Sequence, residues 1–173
     1  VEVVNYTKIL KNKEVLKNIN YTFHGGTIYG LYGRNGSGKT MLLRAISGLI
    51  YANKGELKVD GSILHDEIDF PSDLGLMIEN MSLLPQYDAF TNLKLLAKIR
   101  KVATDEDIRQ ALEKVGLDAN DKKKVKAYSL GMKQKLAIAQ AIFEKPKILL
   151  LDEPTNALDE ESMRAVSYTH LRA

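Results

Sequence analysis

The sequence predicts an α/β fold, and three observations carry that expectation. The first third holds short apolar and alternating runs bounded by turn residues. A glycine-rich loop then joins one such run to a helical segment. After a helical middle block the chain returns to an apolar run, Ile148 to Leu151, that ends in Asp152. At 173 residues the chain has the size of one domain and can bury a core of its own. Hydrophobic residues make up 45% and charged residues 27%, globular proportions that argue against disorder.

Taken in order, Val1 to Val4 is a short apolar run, and Ile19, Tyr21 and Phe23 alternate with polar residues. Thr27 to Tyr32 reads as a third strand, set off by Gly25-Gly26. Lys39 to Ser47 has helical spacing and stops at Gly48. Gly55 to Val59 runs into Asp60-Gly61, a hairpin turn signal, and Leu74 to Ile78 suits a buried strand. From about residue 82 the pattern turns helical. Thr91 is expected to cap a helix with Leu93, Leu96 and Ile99 on one face. Thr104 and Asp107 form a capping-box start for Ile108, Leu112 and Val115, stopped by Gly116. Gly131 to Phe143 is apolar on most sides and predicts a buried helix, and Ile148 to Leu151 a buried parallel strand.

Composition removes several function classes. There is no cysteine, so disulfides, thiolate metal sites and cysteine nucleophiles are out, and a reducing setting is the default. A formal net charge of +3 from 25 basic and 22 acidic residues is too balanced to suggest a nucleic-acid partner. No apolar run approaches the ~18 residues of a membrane span, and no signal-peptide pattern opens the chain. His24 and His65 share no metal-ligand spacing and read as surface or loop residues. The eight tyrosines are scattered and form no platform for stacking bases. Lys122-Lys123-Lys124 reads as a solvated loop or as a contact to anionic lipid.

The chemistry concentrates in two places. Gly33-Arg34-Asn35-Gly36-Ser37-Gly38-Lys39-Thr40 fits the phosphate-loop pattern G-x-x-x-x-G-K-[ST], between a β run and a helix. Its glycines let backbone N–H groups curl around phosphate oxygens at a helix N-terminus, where partial positive charge favours anions. Lys39 supplies a charge to the β- and γ-phosphates, and Thr40 a hydroxyl to Mg²⁺. Asp152 ends an apolar strand, the Walker B pattern, and would hold Mg²⁺ through its water shell. Glu153 follows it and can act as general base toward a water in line with the γ-phosphate.

Two further segments make a resemblance specific: Tyr128-Ser129-Leu130-Gly131-Met132-Lys133-Gln134, and Asp152-Glu153-Pro154-Thr155-Asn156-Ala157-Leu158-Asp159. The sequence resembles the ATPase subunits of ATP-binding cassette (ABC) transporters, with a signature motif in the first segment and a D-loop ending the second. The Leu-Gly-Met signature and Ile78-Glu79-Asn80 are most similar to subunits of bacteriocin, lantibiotic and peptide-antibiotic export or self-immunity. The resemblance implies a P-loop NTPase of the ABC ATPase type, with an N-terminal β-rich subdomain, an inserted helical subdomain and missing C-terminal strands. Its parts would be a β-rich and phosphate-loop core over 1–81, a helical insertion over 82–144, the Walker B strand and D-loop over 145–166, and a non-native tail over 167–173.

By the same resemblance, two subunits sandwich two ATP molecules with Mg²⁺, and membrane-spanning permease subunits turn closure and opening into transport. The enzyme would sit in the cytoplasm, on the inner face of the membrane through its permease. Met41 joins the phosphate-loop residues as a nucleotide contact, Ser129 and Gly131 reach the γ-phosphate across the dimer, and Asp159 links the two sites. The helical block from about Ser82 to Gln134 is the expected permease-docking region.

Four departures from the family pattern carry expectations of their own. Glu79 stands where the family has Gln; it is either a metal contact that slows hydrolysis or a solvated loop residue. Leu10 stands where an aromatic would stack on adenine, and Tyr6 falls a few residues away, which leaves ATP and GTP both open. The signature has Leu130 for its first Gly and Met132 for its Gln. The family's switch histidine lies further on than His170, which comes only 17 residues after Glu153, so His170 reads as an exposed tail residue. The expected reading is a truncated piece whose central sheet lacks the strand between the phosphate-loop and Walker B strands. Two alternatives stand beside the transporter ATPase: a nucleotide-binding module that does not turn over ATP, and a soluble ATPase of the same class.

Overall fold

The structure is a computed structural model and describes residues 1–78 and 83–154. Within the chain two compact units separate, Val1–Leu74 and the part from Gly75 onward.

The first unit is built on a four-stranded antiparallel sheet. Strands β1 (Glu2–Leu10) and β2 (Lys13–Thr22) form a hairpin, and β3 (Lys54–Val59) pairs with the other edge of β1. β4 (Ser62–Ile63) pairs with β3, giving the order β2-β1-β3-β4. The Asp60-Gly61 turn forms as the sequence predicts, with both residues at positive φ (50° and 88°). The β1–β2 hairpin is longer than the apolar runs suggest. Its turn residues Lys11 and Asn12 both take left-handed backbone (φ 47° and 63°), the conformation that matches the twist of paired strands. Helix α1 (Lys39–Ile46) buries Leu43, Ala45 and Ile46, and the sheet buries Val3, Tyr6, Leu16, Leu57 and Val59.

Thr27 to Tyr32 departs from expectation. It is not a strand: Ile28 is 60% and Tyr32 96% exposed, and among the described residues no strand pairs with it. An apolar run becomes a strand only when its backbone groups find partners.

The second unit holds β5 (Leu74–Met77, which begins at the boundary) hydrogen-bonded to β6 (Ile148–Leu151), with helices α2 (Ala89–Arg100), α3 (Asp105–Lys114) and α4 (Leu130–Ile142). α2 starts earlier than Thr91 because Asp88 is the cap: its Oδ1 accepts from the Thr91 N–H at 2.7 Å. Ile99 is 76% exposed, so the buried stripe of α2 runs instead through Ala89, Leu93 and Ala97. The capping box on α3 is present, with Thr104 accepting from the Asp107 N–H and Asp107 from the Thr104 N–H. Ile108 and Leu112 on α3, and Leu136 and Ile138 on α4, are fully buried in one core cluster. Truncating any of them to Ala would cost about 2–5 kcal/mol. β6 is half-buried along its length rather than fully buried as predicted. No helix among the described residues is long and apolar enough to cross a membrane.

Candidate functional site

The phosphate loop leads into the N-terminus of α1. Gly36 and Gly38 take φ of 79° and 97°, and a Cβ on Gly38 would stand 2.7 Å from the Val15 carbonyl oxygen. A Cβ on Gly33 would stand 2.6 Å from Ser37 Oγ. At Gly38 the loop therefore packs against the backbone of β2, whereas a Cβ on Gly33 would meet only the movable end of a side chain. Gly38 is the helix cap and brings no capping side chain, and no acid stands in the first turn of α1. The partial positive charge of the helix end thus has no carboxylate of its own turn against it.

Lys39 completes this arrangement. Its Nζ reaches back to donate to the Gly33 carbonyl at 2.8 Å and the Arg34 carbonyl at 3.3 Å, while the Ser37 N–H donates to the Arg34 carbonyl at 3.1 Å. One ammonium thus bridges the start of the loop, and Arg34, Asn35 and Ser37 lie exposed along it. Thr40 and Met41 occupy the first helical turn, half-buried. A glycine at 38 that admits no Cβ, a bridging ammonium and an uncapped helix end suit a polyphosphate.

The second unit carries the other predicted residues. The Asp152 N–H donates to the Met77 carbonyl at 2.8 Å, extending the β5–β6 pairing by one residue and fixing where the carboxylate leaves the strand. Glu153 takes φ 48°, a left-handed conformation that costs a non-glycine residue on the order of 1–3 kcal/mol and persists where neighbours hold it. Gln134 is one such neighbour: its side-chain amide donates to the carbonyls of Glu153 (3.4 Å) and Pro154 (3.3 Å). In the sequence Gln134 stood out only as the last letter of the signature segment. Its reach to the carboxylate turn depends on how α4 lies against β6.

Ser129 caps α4, its Oγ accepting from the Met132 N–H at 3.2 Å, and Gly131 is half-exposed in the first turn. Leu130, in place of a glycine, is 69% exposed. Tyr6 is only 2% exposed and its hydroxyl donates to the Ile50 carbonyl at 3.0 Å; burial pushes that hydroxyl up to about 12. It is a core residue, and Leu10 lies exposed at the end of β1. His65 stacks on Tyr51 with ring centroids 3.9 Å apart, a packing role beyond the loop role predicted for it. Glu79, Asp159 and His170 lie outside the described residues.

Thr40 and Asp152 offer the hard oxygen ligands that Mg²⁺ takes, a hydroxyl and a carboxylate. Among the described residues no three or more His, Cys, Asp or Glu cluster as a metal site.

Comparison with known proteins fits this geometry. A sequence profile described as ABC transporter matches residues 16–156. The uncharacterized ABC transporter ATP-binding protein YybJ of Bacillus subtilis is 61% identical over 170 residues, covering 98% of this chain and 77% of YybJ. The bacitracin transport ATP-binding protein BcrA of Enterococcus faecalis is 38% identical over 160 residues, covering 92% of this chain and 52% of BcrA. Thus the chain spans about three quarters of YybJ and about half of BcrA. Among solved structures, the dimeric bacterial ABC transporter cassette MJ0796 superposes with a TM-score of 0.85 at 24% identity, over 96% of this chain and 79% of that one. MJ0796 in a post-hydrolysis state bound to ADP and Pi gives a TM-score of 0.84. With a matching profile over most of its length and a relative at 61% identity, the chain belongs to the ABC transporter family.

Proposed function

We propose that this chain is the ATP-binding and ATP-hydrolysing subunit that powers an ABC membrane transporter, with peptide or antibiotic-type compounds as the exported substrates. The observation that carries the reading is the phosphate loop. Gly38 leaves no room for a Cβ against the Val15 carbonyl, and Lys39 bridges the start of the loop ahead of an uncapped helix end. The names of YybJ and BcrA, both ATP-binding proteins, support the nucleotide, and the bacitracin relative supports the substrate class.

In this reading the loop N–H groups and Lys39 bind the β- and γ-phosphates, and Met41 adds a contact at the helix start. Mg²⁺, when bound, neutralises phosphate charge and polarises the γ-phosphoryl group. Thr40 would hold it through its hydroxyl and Asp152 through the ion's water shell, and Glu79 would be a further metal contact. Glu153 accepts the proton of the attacking water, and the left-handed turn braced by Gln134 sets the direction of its side chain. A second copy contributes Ser129 and Gly131 to the γ-phosphate and Asp159 to the link between sites; the dimeric MJ0796 cassettes support such an assembly. Permease subunits dock on the helical block and hold the subunit at the cytoplasmic face of the membrane.

The test is steady-state ATPase activity of the full reading frame. Glu153→Gln should lower turnover at least about a hundredfold while ATP still binds, as expected when a general base is removed. Activity unchanged by Glu153→Gln would refute the assignment of the base.

A further inference from the structure

Asn35-Gly36, in the phosphate loop, is the one place in the sequence where glycine follows asparagine. Asparagine is chemically labile, and most so before glycine, where no side chain shields the next backbone nitrogen. Both residues are exposed. The Ser37 N–H donates to the Arg34 carbonyl at 3.1 Å, which makes Asn35 and Gly36 the central pair of a tight turn. Gly36 takes φ 79°, and a Cβ there would meet nothing within 4 Å, so the space beside it is open.

Among the described residues neither the Asn35 side-chain amide nor the Gly36 N–H has a hydrogen-bond partner. Other asparagines are held. Asn20 Oδ1 accepts from the Asn5 N–H and Asn53 Oδ1 from the Ile9 N–H, both at 2.8 Å. Asn92 is 3% exposed and bonded at both ends of its amide. Beside the turn, Lys39 Nζ lies 3.3 Å from the carbonyl of Arg34, the residue before Asn35. A nearby cation favours the deprotonated amide nitrogen that attack requires, and the oxyanion that follows.

We infer that Asn35 is a self-modification site, whose reaction bound nucleotide holds off and whose product closes the loop to polyphosphate. The Gly36 nitrogen gives its proton to hydroxide and attacks Asn35 Cγ. A bond forms between them, the Cγ–Nδ2 bond breaks, and Nδ2 leaves as ammonia with a proton taken from water. Water then opens the cyclic imide at either carbonyl, giving aspartate at position 35, or isoaspartate with the main chain running through Cβ and Cγ. Both products add a negative charge to a loop whose N–H groups and Lys39 suit an anion, and isoaspartate also lengthens the backbone. With phosphates bound, the loop N–H groups point at their oxygens and the turn is fixed, so occupied loops are spared. The effect on binding rests on the nucleotide reading above; the chemistry of the Asn-Gly pair does not.

The test incubates the full chain at mildly alkaline pH, with and without Mg-ATP, and follows position 35 by peptide mass mapping and isoaspartate-specific methylation. Product should accumulate at position 35 ahead of every other asparagine and faster as pH rises. Mg-ATP at a hundredfold excess over Kd should slow it at least about tenfold. Mg-ATP affinity should fall in step with the modified fraction, and Asn35→Asp should bind at least about tenfold more weakly than the unmodified chain. Asn35→Gln, whose longer side chain closes the ring far more slowly, should keep its own starting affinity through the same incubation. No product at position 35, equal rates with and without Mg-ATP, or full affinity in the modified chain would each overturn the inference. So would loss of affinity in Asn35→Gln at the same pace. Fresh, unmodified chain is the reference: failure to bind Mg-ATP there counts against the phosphate-loop reading, whereas binding there without reaction at Asn35 counts against this inference alone.

Discussion

Gly36 and Gly38 sit two residues apart in the same loop, both at positive φ, yet their surroundings differ. A Cβ on Gly36 meets nothing within 4 Å, whereas one on Gly38 stands 2.7 Å from a backbone oxygen. Gly36→Ala should therefore cost about 1 kcal/mol, from strained backbone alone. Gly38→Ala must also displace the strand backbone at Val15, so its cost should exceed that, and nucleotide affinity should fall with it. Urea unfolding of the two variants measures the difference; equal destabilisation would show that the loop is not packed against Val15. At this scale the motif residues were legible in the sequence because the phosphate pattern fixes residue types at fixed offsets. Gln134 and Tyr6 were not: one acts through a contact 19 residues along the chain, the other through burial against the Ile50 carbonyl.

Among the elements, α3 shows how local chemistry is read most directly. Its cap, its three first-turn acids and its terminal Gly116 all lie within a short window, and the helix forms where they predict. Asp107 is held well below the usual carboxylate range, first by its hydrogen bond with Lys145 and then by the Thr104 side chain and N–H. A depressed carboxylate stabilises the fold above its ordinary pKa, and that contribution fades as pH falls through the ordinary range toward the folded value. Stability of the unmodified protein should therefore drop relative to Asp107→Asn as pH is lowered from about 5 to about 2. Parallel curves from chemical denaturation at each pH would contradict this. Thr104→Ala should cost about 1 kcal/mol through loss of the cap. The strand forecasts fared less evenly. Leu74 to Met77 and Ile148 to Leu151 find each other, whereas Thr27 to Tyr32 has the composition of a strand without a partner among the described residues. Pairing is long-range, and no local pattern encodes it. The start of α2 moved for the opposite reason: both Asp88 and Thr91 are cap-type residues, and the helix begins at the earlier one.

Over the whole molecule, the order of motifs carried more information than any single element. A phosphate loop after a β-rich start, a helical block ending in Ser129-Leu130-Gly131, and an apolar strand ending in Asp152-Glu153 together fix the family, and the fold follows the ABC cassette structures. The phosphate loop belongs to the first unit, and Ser129, Gly131, Asp152 and Glu153 belong to the second. Charge is divided as well. No Lys or Arg occurs between Lys58 and Lys94, while the stretch after Asp121 has six lysines before its next acid.

Thermal unfolding of this chain with and without Mg-ATP, beside Lys39→Ala, tests the central claim that the phosphate loop is a nucleotide site. At a hundredfold excess of ligand over Kd, binding should stabilise the folded protein by about 2.7 kcal/mol. The transition should be cooperative and raised by Mg-ATP in the unmodified chain, and Mg-ATP should leave it where it is in Lys39→Ala. A transition unmoved by Mg-ATP in the unmodified chain, or raised equally in both proteins, would contradict it.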